Sequence, residues 1–175
     1  MNAVELVEPA RPVKRQPSVK FMLAHPAHFL ALGLGSGLSP ILPGTAGTLF
    51  GWLCFNLLST HWPAIFTTSG WAVIIVVGFF VGVAACDRAG RALGVPDHGA
   101  IVWDEMIAIW LVLLLVTPCS FAAELGAVVL FRLFDMIKPP PIRQVERRYQ
   151  GGFGVMIDDI VAAVFTLLVI ALWRF

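Results

Sequence analysis

Charge is what this 175-residue chain has least of: 13% of its residues are Asp, Glu, Lys or Arg, against 58% hydrophobic ones. So little charge cannot clothe a water-soluble domain, and the composition is that of one integral membrane domain. Cysteine is equally sparse. Cys54, Cys86 and Cys119 lie in or beside apolar stretches, and an odd number without C-x-x-C spacing excludes a disulfide framework or a zinc site. Buried, inert thiols are expected. At a net charge of +1 no nucleic-acid partner is expected. Internal repeats of the kind that mark solenoids or inverted-repeat transporters are absent. A secretory signal is excluded because Pro26, Gly33 and Gly35 interrupt what would be its apolar core. Nothing in the sequence sets an oligomeric state.

What is present is a series of apolar segments. Residues 1–20, with Arg11, Lys14, Arg15 and Lys20, read as a disordered basic cytoplasmic tail, and residues 21–175 as the membrane-embedded domain. His25–Leu32 can lie against the bilayer or begin a helix. Between Gly33 and Thr48 five glycines, two prolines and four hydroxyl residues interrupt any regular span; such backbone survives at membrane depth only under cover of protein or around a water-filled cavity. Its hydroxyls (Ser36, Thr45 and Thr48 among them) and N–H groups could face an anion, although it lacks the Gly-Lys-Ser/Thr ending of a P-loop. A plain connecting turn is the alternative.

Five apolar helices follow: Leu49–Leu58 (starting near Thr45), Thr68–Cys86, Ile101–Val116, Phe121–Ile137 and Met156–Trp173. Asp87–His98 is expected to be a polar loop, Lys138-Pro139-Pro140-Pro141 to stop the fourth helix, and Ile142–Gln150 to be a basic loop. The fold class is therefore all-α, a polytopic bundle of about four to five apolar helices plus an irregular Gly/Pro-rich loop. With the basic tail inside, every Lys and Arg except Arg174 falls on one side, while the links His61–Thr67 and Thr117–Ser120 have none. This is the positive-inside pattern. Alternation then brings five acids to the same interface: Asp104 and Glu105 opening the third span, Asp135 ending the fourth, Asp158 and Asp159 opening the fifth.

Five clustered carboxylates repel one another unless something positive lies between them. Carboxylate and water are ligands for a hard divalent cation, Mg²⁺ or Mn²⁺. Arg132, Asp135 and Lys138 follow at i, i+3, i+6 on one helix face. Carboxylates holding metal beside Arg and Lys suit phosphate chemistry, because charge on phosphoryl oxygens is neutralised and the group is held in line. An intramembrane ion-pair network is the structural alternative. His98, in Asp97-His98-Gly99, is a candidate acid or base, or else a hydrogen-bonding loop residue.

Four blocks carry a resemblance: Gly35-Ser36-Gly37-Leu38-Ser39-Pro40 with Pro43-Gly44-Thr45-Ala46-Gly47-Thr48; Asp97-His98-Gly99 with Val102-Trp103-Asp104-Glu105; Phe131-Arg132-Leu133-Phe134-Asp135 with Lys138-Pro139; and Gly151-Gly152 with Gly154-Val155-Met156-Ile157-Asp158-Asp159. In this order the chain closely resembles bacterial phosphatidylglycerophosphatase A from Phe21 onward. The resemblance implies a multi-pass enzyme of the bacterial cytoplasmic membrane, its active site facing the cytoplasm. There it removes the terminal phosphate of phosphatidylglycerophosphate with Mg²⁺, giving phosphatidylglycerol for phospholipid biosynthesis. It implies Asp104, Glu105, Asp135, Asp158 and Asp159 as the metal and catalytic set, with Arg132, Lys138, Ser36, Thr45, Thr48 and His98 on the substrate. Thr48, Ala108, Pro140 and Ala163 depart from the family's usual residues without removing a carboxylate. Other phosphatase signatures, His-Cys-x5-Arg and Asp-x-Asp-x-Thr/Val among them, are absent. Attack by metal-activated water is favoured, with an aspartyl-phosphate intermediate open. The rival class is a small cation transporter or channel using the acids as an ion site, which would place them near midplane.

The charge asymmetry predicts that Gly99 and Gln150 face the cytoplasm and Ser120 the outside. Single-cysteine labelling of intact cells, in a background without the native thiols, should therefore modify position 120 alone; modification at 99 or 150 but not 120 would invert the topology.

Overall fold

A computed structural model of the chain describes residues 16–174, and those residues form helices and turns with no strand. Most of the expected tail, residues 1–15, lies outside the described residues. Its last residues are ordered: Ser18 Oγ accepts the Phe21 N–H to cap α1 (Val19–Leu23), and His25 Nδ1 caps α2 (Pro26–Ala31) in the same way. The glycine-rich stretch then divides. Gly33–Leu38 is a 3-10 turn with Leu34 and Gly35 at positive φ, whereas Pro43 opens α3 (Pro43–His61), so Gly44 to Thr48 are helical. Proline at a first helical position forfeits no hydrogen bond.

The helical glycines set the spacing of the bundle. Gly44, Gly47 and Gly51 recur along one face of α3, against α5 (Trp103–Val116). A Cβ at Gly47 would stand 2.6 Å from Val102 Cβ, and one at Gly51 3.2 Å from Met106 Cα. The two backbones meet because no side chain separates them, as small residues allow between membrane helices. Trp110 Nε1 donates to the Gly51 carbonyl across this contact at 2.8 Å. Every residue from Trp103 to Trp110 is buried, and α5 packs against α3, α4 (Thr68–Leu93), α6 (Phe121–Ile137) and α8 (Gly151–Arg174).

Three expectations are corrected. The first part of the expected Asp87–His98 loop is helix as far as Leu93. Ala85, Cys86, Ala89 and Leu93 carry the buried face onward, while Asp87 and Arg91 pair on the outside at i, i+4; charge here marks the solvent face of a helix, not its end. Gly94, at φ 80°, donates to the Arg91 carbonyl and Val95 to that of Gly90, closing the helix. Second, the expected basic loop is α7 (Pro140–Arg148). Lys138 ends α6 in the left-handed region, and Pro140, which α6 could not have continued through, starts the next helix, anchored by the buried Ile142. Third, α8 begins at Gly151 rather than Met156. Gly152 lies so close to the Val83 carbonyl of α4 that a Cβ would collide with it, so the glycines permit close packing instead of a loop. Asp158 and Asp159 accordingly lie two turns inside α8, about 12 Å from its start at 1.5 Å per residue.

With 26 and 24 residues, α4 and α8 are each long and apolar enough to cross a membrane. α5, with 14 residues, is only about 21 Å long, and its buried first turn is set among longer neighbours.

Gly47→Leu should cost roughly 1–3 kcal/mol through overpacking against Val102 and lower the melting temperature in detergent. Gly99→Ala, whose Cβ would meet nothing within 4 Å, should leave it unchanged. Equal melting temperatures for all three proteins would refute the close α3–α5 contact.

Candidate active site

The ionisable groups converge in a recess at the start of α5. Asp104 and Glu105 occupy the first turn of α5, Asp135 the last turn of α6, and Asp158 and Asp159 lie two turns into α8. All except Asp135 are buried, and its side chain is only 12% exposed. The five do not form one set. Arg132, one turn before Asp135, places Nη1 2.5 Å from Asp135 Oδ2 and 3.7 Å from Glu105 Oε1. Lys138 Nζ lies 2.6 Å from Asp158 Oδ2, while Asp158 Oδ1 accepts the Asp159 N–H at 3.1 Å. Lys138 reaches Asp158 from a left-handed backbone (φ 45°), which for an L-residue costs about 1–2 kcal/mol. Strain of that kind persists where the surroundings over-determine it, commonly at functional sites.

Asp104, Glu105 and Asp159 form a second, overlapping group, each offering an oxygen within 4.8 Å of the others. Asp104 Oδ1, Glu105 Oε2 and Asp159 Oδ2 are buried with no hydrogen-bond partner among the described residues. A buried unsatisfied polar atom costs about 1–3 kcal/mol, and more when charged. Three such oxygens, all hard donors and converging from two helices, fit a divalent cation of the Mg²⁺ type. The cluster contains no histidine or thiolate ligand.

The other candidates divide between site and scaffold. Thr48 Oγ1 donates to the Gly44 carbonyl at 3.0 Å and accepts from Arg132 Nη1 at 3.5 Å, so it belongs to the site through Arg132. Thr45 lies beside it in the first turn of α3. Ser36 Oγ donates to the Gly33 carbonyl at 2.8 Å and stabilises the 3-10 turn. His98 is buried, its Nδ1 accepting the Ala100 N–H at 3.2 Å, and it lines a separate cavity with Ser39, Pro40 and Pro43. Two contributors escaped the sequence reading. A Cβ at Gly44 would collide with Glu105 Oε1 and stand 3.0 Å from Arg132 Nη2, so this glycine makes room for the ion pair; its place next to Pro43 at a helix start is the signal that could have shown it. Asp97 shares a small cavity of about 140 Å³ with Asp158, Gly151 and Tyr149; its sequence signal is the Asp97-His98-Gly99 block itself.

If the trio holds a cation, millimolar Mg²⁺ should raise the melting temperature of the detergent-solubilised protein, since a ligand at a hundred times its Kd adds about 2.7 kcal/mol. Asp159→Asn should abolish most of that rise without any assay of activity. An equal rise in the variant would remove Asp159 from the cation site.

Comparison with known proteins bears on the same residues. The chain matches the phosphatidylglycerophosphatase A family over residues 29–174. It is 41% identical over 147 residues to the Escherichia coli K12 protein named phosphatidylglycerophosphatase A, covering 84% of this chain and 83% of that one. A Haemophilus influenzae protein of the same name is 38% identical over 161 residues, 90% of this chain and 94% of its own. A Bacteroides thetaiotaomicron protein, provisionally named as a phosphatidylinositol-3-phosphatase, is 35% identical over 150 residues, with 83% and 91% covered. No solved structure matches the chain. With a family match over residues 29–174 and relatives this similar along most of their length, the chain belongs to the phosphatidylglycerophosphatase A family.

Proposed function

We propose that this protein hydrolyses the terminal phosphate monoester of phosphatidylglycerophosphate, releasing phosphatidylglycerol for phospholipid biosynthesis, at the cytoplasmic face of the bacterial inner membrane. The observation that carries the reading is the juxtaposition of three partnerless buried carboxylate oxygens with Arg132 and Lys138 in one recess. Family membership supports the substrate, and residues 21–175 form the catalytic domain. Cation transport, the rival reading, is not favoured: in α5 and α6 the acids occupy terminal turns, and the relatives carry the names of phosphatases.

The membrane setting rests on several features together. Val73, Val76, Val77, Phe80 and Val81 of α4 are exposed, an apolar face that hydrocarbon would cover. In this reading α3, α5 and α6 join the two long helices as a five-helix bundle. Arg88, Arg91, Lys138 and Arg143 flank the end that holds the site, which the Lys/Arg asymmetry turns to the cytoplasm.

Asp104, Glu105 and Asp159 would hold Mg²⁺, which when bound supplies positive charge to a phosphoryl group and lowers the pKa of water. The chain's own residues do the rest. Arg132 Nη1 and Lys138 Nζ stand ready to transfer part of their pairing from Asp135 and Asp158 to phosphoryl oxygens, and Arg suits the planar, paired contact best. Thr48 and Asp135 keep the guanidinium oriented meanwhile. In hydrolysis a water oxygen bonds to phosphorus and gives up a proton to a carboxylate of the cluster, while the bond from phosphorus to the glycerol oxygen breaks and that oxygen gains a proton; we assign Lys138 Nζ, already hydrogen-bonded to Asp158, as the donor to the leaving oxygen. The walls of α3, α4, α6 and α8 limit the water that reaches the recess.

Phosphate release from phosphatidylglycerophosphate by the purified protein should need a divalent cation and stop on chelation. Asp158→Asn and Asp159→Asn should each lower kcat by roughly a hundredfold or more, since one catalytic electrostatic contact is worth about 2.7–4 kcal/mol. Glu124→Gln is the control, because Glu124 bonds Trp52 and Asn56 at the opposite end of α6. Near-normal turnover in both aspartate variants at matched protein levels would defeat the reading.

A further inference from the structure

The helices α6 and α8 touch near the site and then part. At the upper end Lys138 meets Asp158, and just below it Phe134 and Phe165 lie with ring centroids 6.0 Å apart. Further along, a groove of about 840 Å³ opens between the two helices, walled by Ala123, Gly126, Val129 and Leu133 on one side and Val169 and Trp173 on the other. No charged residue lines it. Val129 and Leu133 are 60% and 50% exposed, so the groove is open sideways. From Ala122 to Leu133 it follows twelve residues of helix, about 17 Å, close to half of a hydrocarbon core about 30 Å thick.

Its charge pattern selects an occupant. Leu133 stands at the same depth as Arg132 but about 100° round the helix, so the groove begins at the level of the site's cations, past the Phe134–Phe165 contact, and its apolar course leads away from them. A ligand matching both has an anionic head and one long hydrocarbon tail alongside. We propose that this groove is the acyl-chain subsite: one chain of the lipid phosphomonoester lies between α6 and α8 while its phosphate reaches Arg132 and Lys138. The lipid then enters from the side, out of the bilayer, and the recess need not open to water for substrate to arrive. This inference rests on the lipid-phosphatase reading above and specifies how that substrate is held.

Gly126 supplies the test, because it lies in the groove wall and a Cβ there would meet nothing within 4 Å. Gly126→Phe should fill the groove without disturbing the core. Wild type and variant are compared, as full chains in detergent, on a long-chain phosphatidylglycerophosphate and on its dihexanoyl analogue. The variant should lose at least about tenfold in kcat/KM on the long-chain lipid, mostly through KM, as expected when several methylene contacts are lost. It should keep wild-type values on the short-chain one. Unchanged long-chain kinetics, or an equal loss on both lipids, overturns the subsite. A fall in the mass of the detergent-solubilised particle would assign the groove to a second copy of the chain and overturn it as well. Wild type inactive on both lipids would instead refute the phosphatase reading itself. Should Gly126→Phe fail to accumulate, Val129→Trp on the same exposed wall makes the same comparison.

Discussion

Burying negative charge in an apolar bundle is the constraint on which the rest of this structure depends. Removing a carboxylate from water costs several kcal/mol even after relaxation, and here five converge. Three are paired within the chain, Asp135 and Glu105 with Arg132 and Asp158 with Lys138. Glu105 also stands within 4.8 Å of Asp104 and Asp159, and an oxygen of each of these three has no hydrogen-bond partner among the described residues. Much of the architecture serves this concentration of acid. The buried first half of the short α5 keeps Asp104 and Glu105 away from bulk solvent, Gly44 clears the space in which Glu105 meets Arg132, and the close approach of α8 to α4 at Gly152 carries Asp158 and Asp159 down to the same level.

The parts of this plan that rest on periodicity and charge were legible in the sequence. The bounds of α6 agree with the structure because a serine caps one end, its Oγ accepting the Ala123 N–H, and prolines follow the other. Convergence of the five acids followed from up-down alternation alone. Where pattern and structure differ the cause is shared: neither glycine nor charge ends a helix whose other face is packed. In α4 the charges of Asp87 and Arg91 belong to a helix whose other face continues inward. In α8 the glycines are helical because a neighbouring backbone occupies the space a side chain would need. Neither fact is local, so neither could be read from local pattern.

Which acids pair with Arg132 or Lys138, and which gather as a trio with partnerless oxygens, was also beyond the sequence. Spacing puts Arg132 near Asp135 on one helix face, but only the packing of α3 against α5 brings Glu105 to the same guanidinium. The pairing of Lys138 with Asp158 depends on a left-handed turn that Lys138 does not intrinsically favour. Similarly, Ser36 and Thr48 look alike as loop hydroxyls, yet one is spent on a local turn and the other bonds the site's arginine. Two residues of the same chemistry acquire different roles through where the backbone goes next.

The order of the acids along the chain bears on how the protein is made. Synthesis runs from the N-terminus, so α5 enters the bundle with Asp104 and Glu105 before either cationic residue of the site exists. Relief for Glu105 arrives one hairpin later, with Arg132 on α6. The third member of the trio, Asp159, comes only with the last helix. A nascent chain thus carries the first acids without the means to assemble the whole cluster until its final helix docks.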